Sequence, residues 1–309
     1  MKDILSEAMF DVEHANLLLS TDEEKALSDS EERIEGEVKS TAKAIFDSGA
    51  KIVLLCGFSA SGKTTFTKKV CEELSSLGRE ARHIALDDFL LGMGYMPLNS
   101  DGTYDMESIE GLDTALANEC FRRLLDEGWA DFPTFDFPHQ RRGERWNRIE
   151  LGEKGLIIIE GIHALNPLLT ENLPEEGIMR IFVEPEKAYF RGGKMILSPA
   201  EVRLMRRMTR DELFRGWSTE KTLVQWKSVL EGEKIYIEPY IDSADIHIDS
   251  SIETEPSVFV KTLTEMLGKI GEDSPFFGIA KGFCGKLSEF YEADAKKLPK
   301  DSILREFLG

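Results

Sequence analysis

The chain has 309 residues, 41% of them hydrophobic and 31% charged, enough to bury one large core with appendages or two small ones. Its 57 acidic residues outweigh 38 basic ones for a formal net charge of −19, so a nucleic-acid backbone or an anionic membrane would be repelled over most of the surface. The four cysteines, Cys56, Cys71, Cys120 and Cys284, form no C-x-x-C pair, which speaks against a zinc site or a disulfide framework and for a reducing cytoplasm.

Along the chain, the first 50 residues hold 13 Asp or Glu against 5 Lys or Arg. The opening MKDILSEAMFDVEH is too acidic for a signal peptide, and no apolar run reaches membrane-spanning length. TDEEKALSDSEERIEGE shows no apolar spacing that would tie it to a core, so residues 1–48 read as a helical, partly mobile extension, with a helix from about Glu37 to Asp47 leading to Gly49. KIVLLC, residues 51–56, is a continuous apolar run suited to a central parallel strand. Phe66, Val70, Leu74 and Leu77 then recur at helical spacing up to Gly78. Further β-type runs lie at 82–86, 155–159, 178–184 and 244–249, separated by helical patterns such as Ile109, Leu112, Leu116, Cys120 and Leu124. The alternation predicts an α/β fold, a parallel sheet with helices on both faces.

Between the first strand and its helix lies GFSASGKTT, residues 57–65, which fits the phosphate-binding pattern G-x-x-x-x-G-K-[ST] in its strand–loop–helix context. Gly57, Ser59, Ala60, Ser61, Gly62, Lys63, Thr64 and Thr65 would wrap a polyphosphate in backbone N–H groups, with Lys63 reaching the outer phosphates and the Thr64 hydroxyl placed for magnesium. Phosphoryl transfer to an alcohol also needs carboxylates at neighbouring strand ends, and RHIALDDF and GLIIIEG end in Asp87, Asp88 and Glu160. Taken singly, these acids read equally well as turn caps or exposed strand ends.

Ser198, Pro199 and Glu201 mark a capped helix start, after which Arg203, Arg206, Arg207 and Arg210 fall at i, i+3, i+4 and i+7. Such a stripe is either a solvated basic face or a surface for anions; in so acidic a chain the second reading, facing phosphoryl oxygens, is preferred, with Arg215 extending the cluster. The stretch PTFDFPHQRRGERWNR combines Phe135 and Phe137 with Asp136, His139 and Gln140, which suits either base stacking or a surface loop with tucked aromatics. The remaining histidines, 14, 83, 163 and 247, form no metal-ligand pair.

From about residue 40 to the end, the ordered motifs GFSASGKTTF, LDDF, TYDMESIEGLD, PTFDF with its arginines, IIIEGIHAL, RLMRRMTRDELFRG, WKSVLEGEKIYIEPYIDSADIHIDS and PKDSILREFLG resemble the uridine kinase and phosphoribulokinase branch of the P-loop kinases, most closely bacterial uridine kinase-like nucleoside kinases. The resemblance implies Asp87 as catalytic base and Glu160, with Thr64 and Asp87, near Mg2+. It implies Asp105 on the ribose hydroxyls, assisted by Arg203; it implies that Arg206, Arg207 and Arg210 close over the ATP phosphates in a lid of residues 199–217, and it places Gln225 on the nucleoside. Phe135 stands where the family carries Tyr, and Gln140 where it carries a base-reading His. The expected organisation is an acidic extension (1–48), a P-loop kinase domain (49–270) and a tail (271–309). The expected activity is ATP- and Mg2+-dependent phosphorylation of a nucleoside 5′-hydroxyl, uridine or cytidine first, with no nucleic-acid or membrane partner and with homo-oligomerisation left open. Alternatives on the same residues are a kinase for a sugar phosphate, polyol or pantothenate-like alcohol, or a nucleotide-sensing regulator without transfer.

Overall fold

The computed structural model describes residues 9–99, 102–171 and 173–309; the first eight residues of the acidic extension lie outside it. At the centre is a five-stranded sheet built from β1 (Ile52–Cys56), β2 (Ala81–Ala85), β3 (Leu156–Glu160), β4 (Ile178–Glu184) and β5 (Ile246–Asp249). Its order is β5-β4-β1-β3-β2 and every pairing is parallel, with Leu54 level with Ile159 on one side and Arg180 on the other. Side chains alternate across the sheet: Val53, Leu55, Ile158 and Val183 face one apolar layer, and Ile52, Leu54, Ile159 and Phe182 the other. Both faces are covered, which is why the central strands are apolar at every position rather than every second one.

The covering helices on the first face are α1 (Val12–Thr21), α2 (Glu23–Ser48), α3 (Lys63–Ser76), α5 (Pro199–Phe214) and α7 (Glu255–Leu267), while α4 (Thr114–Glu127) closes the second; α6 (Thr219–Tyr236) follows α5, and α8 (Phe277–Leu287) packs on α7. Asp113 caps α4 by accepting from Leu116 N, so the helix begins five residues later than the apolar spacing from Ile109 predicts. Among the described residues, no helix is long and apolar enough to cross a membrane.

The extension departs from expectation. α2 is one helix of 26 residues rather than a short segment after Glu37; it packs on α3 and buries Leu27, Ile34, Val38, Ala42 and Ile45 in the core on that face of the sheet. Ile34 and Ile45 are wholly inaccessible, and each aliphatic side chain so buried contributes roughly 1.5–3 kcal/mol. The stripe is hard to see in the sequence because its next position after Leu27 is Glu31, a carboxylate that accepts a hydrogen bond from Ser302 inside the fold and whose pKa burial pushes up. Arg33, on the same helix, donates to the Asp249 carbonyl at 2.7 Å and to the Ser251 carbonyl, fastening α2 to the end of β5. Residues Met9–Asp11 pair in parallel with Ala188–Arg191, so the start of the described chain is also held in a sheet.

Candidate active site

The C-terminal ends of β1, β2, β3 and β5 converge on one edge of the sheet, the edge where open parallel sheets place ligands. Between β1 and α3, Ala60 (φ 61°) and Gly62 (φ 91°) both take left-handed conformations, which turns successive N–H groups inward into a concave nest. At Gly57 a side chain is sterically impossible, since a Cβ there would collide with the Val183 carbonyl oxygen. The buried Ser61 hydroxyl has no hydrogen-bond partner among the described residues. The loop's concavity and unpaired hydroxyl fit a polyphosphate.

Lys63 is buried at the start of α3 and donates to the Phe58 carbonyl at 2.8 Å. The Thr64 hydroxyl donates to Glu160 Oε2 at 3.1 Å, bringing the strand-end acid of β3 to the loop. Burial would raise the Glu160 carboxyl, but the His83 imidazole 3.4 Å away, the Lys63 charge and the Thr64 hydroxyl together hold it below the ordinary carboxylate range. An ionised carboxylate beside a hydroxyl is an all-oxygen donor set that suits Mg2+.

These groups open into a cleft of about 440 Å³ lined by Lys63, Thr64, Asp87, Asp88, Glu160 and Arg207 on its polar side and by Met93, Met96, Met106, Phe135 and Phe137 on its apolar side. Asp87 and Asp88 are not equivalent. Asp88 accepts from Phe135 N at 3.1 Å and its pKa is raised by burial, so it fixes the Phe135 loop. Asp87 is half-exposed at the cleft, with Arg215 Nη2 3.9 Å from its carboxylate. Arg215 stacks over Phe137 at 4.5 Å, and burial together with the neighbouring Arg210 lowers its pKa to about 10, which leaves it cationic at neutral pH.

The arginine stripe of α5 is neither solvated nor aimed wholly at the cleft. Arg203 pairs with both carboxylate oxygens of Glu233 (2.5 and 2.8 Å), and Arg206, wholly inaccessible, pairs in the same way with Glu255 (2.5 and 2.7 Å). All three inner arginines also grip the phosphate loop: Arg203 Nη1 donates to the Ser59 carbonyl (3.4 Å), Arg206 Nη1 to the Ala60 carbonyl (3.3 Å), and Arg207 Nη1 to the Ser59 hydroxyl (2.8 Å). Arg207, Arg210 and Arg215 line the cleft; Arg203 and Arg206 do not, which corrects the expectation that the whole stripe faces phosphoryl oxygens. An acidic chain supplies internal carboxylates as partners, and spacing alone cannot show which residues they are.

Of the remaining expected residues, Phe135 and Gln140 line the cleft, though the Gln140 amide is turned back to donate to the Phe137 carbonyl at 2.6 Å. His139 pairs with Asp136 on the outside. Asp105 and Gln225 lie outside the cleft lining, with the Asp105 carboxylate accepting from the Tyr236 hydroxyl at 3.0 Å and from Glu107 N at 3.2 Å. Among the lining residues that sequence reasoning missed are Glu107, two places after Asp105; His163, three after Glu160; and Glu306, for which no local signal exists. Glu306 Oε2 accepts from both the amide and the hydroxyl of Thr65, each at 3.0 Å, so the closing segment reaches onto the phosphate loop itself.

Comparison with known proteins agrees with this geometry. The uridine kinase of Ligilactobacillus salivarius is 26% identical over 208 residues, covering 67% of this chain and 88% of that protein. Uridine-cytidine kinase B of Dictyostelium discoideum is 29% identical over 203 residues, covering 64% of this chain and 73% of that one. Uridine kinase-like protein 5 of Arabidopsis thaliana is 28% identical over 200 residues, and there this chain spans only 38% of the relative's length. The model of the Phosphoribulokinase / Uridine kinase family matches residues 52–255, the segment that carries the phosphate loop, both acid strand ends and the arginine helix, and the chain therefore belongs to that family.

Proposed function

We propose that this chain is an ATP- and Mg2+-dependent kinase that moves the γ-phosphoryl group to the 5′-hydroxyl of a nucleoside, uridine or cytidine. That it is a phosphotransferase with an alcohol acceptor follows from its family; the nucleoside rests on the uridine and cytidine kinases among its relatives. The observation that carries the reading is that Lys63, Thr64 and Glu160 border the same cleft as Asp87, with a gap of small-molecule size and an aromatic wall of Phe135 and Phe137.

On this reading Asp87 accepts the proton of the attacking hydroxyl, while Lys63, Arg207 and Arg210 offset charge on the transferring group. Magnesium held by Thr64 and Glu160, with Asp87 near, would neutralise charge between the outer phosphates. Asp88 is disfavoured as the base because the Phe135 amide already occupies its carboxylate. Phe135 and Phe137, ring centroids 5.1 Å apart and edge to face, offer a planar base a surface to stack on.

The test is a panel of alcohols, with uridine, cytidine, purine nucleosides, a sugar phosphate, glycerate, pantothenate and a polyol, scored by ADP release. Uridine or cytidine should give the highest kcat/KM. A higher value for a non-nucleoside would replace the acceptor assignment, and no release above background with any alcohol would favour a nucleotide sensor.

A further inference from the structure

Three buried polar atoms of cleft-lining residues have no hydrogen-bond partner among the described residues: Glu107 Oε2, His163 Nδ1 and Arg207 Nε, the last of which lies 3.5 Å from an opposite charge, Asp211 Oδ2. Glu107 is 3% exposed and His163 is 4% exposed; both line the cleft, and neither Glu107 Oε2 nor His163 Nδ1 has a hydrogen-bond partner among the described residues. Buried polar atoms are almost always paired, so two unpaired ones at one cavity wall mark a place built for a group the chain itself does not supply. The other Glu107 oxygen is 3.3 Å from Arg207 Nη1, and Arg207 in turn donates to Ser59 of the phosphate loop. This holds one oxygen of the carboxylate against Arg207, while the other, unpaired oxygen belongs to the same cleft-lining residue. Asp105, the neighbouring acid, is differently placed: its oxygens are engaged by Tyr236 and by the Glu107 amide, outside the cleft lining.

We infer that Glu107, not Asp105, is the side chain that grips the acceptor's secondary hydroxyls, with His163 as its second polar contact, so that this site selects a neutral alcohol bearing adjacent hydroxyl groups. A carboxylate oxygen only accepts, and so requires an O–H or N–H from the ligand. It repels a second anion, which disfavours glycerate, pantothenate or a sugar phosphate presented with its acid end toward this wall. Burial lowers the His163 pKa to about 4, partly opposed by the nearby Glu107 backbone, so the imidazole there is neutral at physiological pH and matches a hydroxyl rather than an anion. Gly232 of α6 packs against the Glu107 side chain so tightly that a Cβ would meet it, which holds the carboxylate in place from behind.

The inference rests on the nucleoside reading, and its test separates the two. Steady-state kinetics would be measured for wild type, Glu107→Gln and Asp105→Asn with uridine, 2′-deoxyuridine and 3′-deoxyuridine. For wild type, loss of one ribose hydroxyl should lower kcat/KM about tenfold or more, the scale of a hydrogen bond to a charged group. Glu107→Gln should raise the uridine KM by a similar factor with the ATP KM changed less than about threefold, and should then discriminate little between uridine and that deoxy analogue; Asp105→Asn should leave the uridine KM within about threefold. Full additivity of the variant and deoxy losses, or a uridine KM in Glu107→Gln within threefold of wild type, overturns the inference. Because Glu107 is buried against Arg207, the wild-type deoxy series serves if the variant does not fold, and a wild type indifferent to both hydroxyls overturns it equally. If wild type phosphorylates no nucleoside, the parent reading fails by itself; the Glu107→Gln comparison is then decided on whichever alcohol releases ADP.

Discussion

Arg206 and Arg210 stand about one turn apart on α5 but differ in their surroundings. Arg206 has no accessible surface and is held by Glu255, by the Ser250 carbonyl and by the Ala60 carbonyl, with Phe307 beneath its guanidinium at 5.3 Å. Arg210 lines the cleft and, among the described residues, donates to the carboxylate of its neighbour Asp211 (2.8 Å). Arg206→Met therefore leaves Glu255 buried without a counter-charge and should cost about 3–5 kcal/mol of stability in denaturant unfolding. Arg210→Met should unfold at nearly the wild-type denaturant concentration and instead lower kcat tenfold or more. A stable Arg206→Met with only kcat reduced would mean that Arg206 acts on phosphate after all. The i, i+3, i+4, i+7 spacing was legible as a single guanidinium face, but its division into inner and outer members was not, because Glu233, Glu255 and Glu107 come from three distant segments.

At the scale of elements, strand, loop and first helix were legible from β1 through α3 because each signal is local: an apolar run, a glycine-bearing turn, then helical spacing ended by Gly78 (φ 82°). The contacts that brace the loop are not local. Ile303, Leu304 and Phe307 of the closing segment are wholly inaccessible, and the helical turn Arg305–Leu308 lies on α5. From there Glu306 occupies the Thr65 amide, one of the N–H groups expected to meet phosphate. A carboxylate and a phosphoryl oxygen compete for that donor. Glu306→Ala should lower the ATP KM about threefold or more, the size of a modest hydrogen-bond competition, with the uridine KM unchanged. An increase in the ATP KM would show instead that Glu306 holds the loop in its binding shape. The same reach of distant partners explains α2, whose stripe runs through a glutamate that accepts from Ser302 and is further offset by the Lys69 charge.

For the molecule as a whole, the class of fold could be read from alternating strand and helix signals, whereas the order β5-β4-β1-β3-β2 could not, since it depends on which faces pack rather than on any local pattern. That order gathers Asp87 and Glu160, 73 residues apart in sequence, at one edge beside the phosphate loop. It also gathers Lys63, Arg207, Arg210 and Arg215 in a single cleft of a protein whose net charge is −19, beside Asp87, Asp88, Glu107, Glu160, Asp211 and Glu306. The central claim is that the phosphate loop and the Asp87 carboxylate act on one alcohol from opposite sides. Its most direct measurement is phosphoryl transfer by Asp87→Asn beside its ATP affinity: transfer should fall by at least about a hundredfold, the scale of lost general-base catalysis, while ATP still binds. Transfer within a few-fold of wild type would contradict the account.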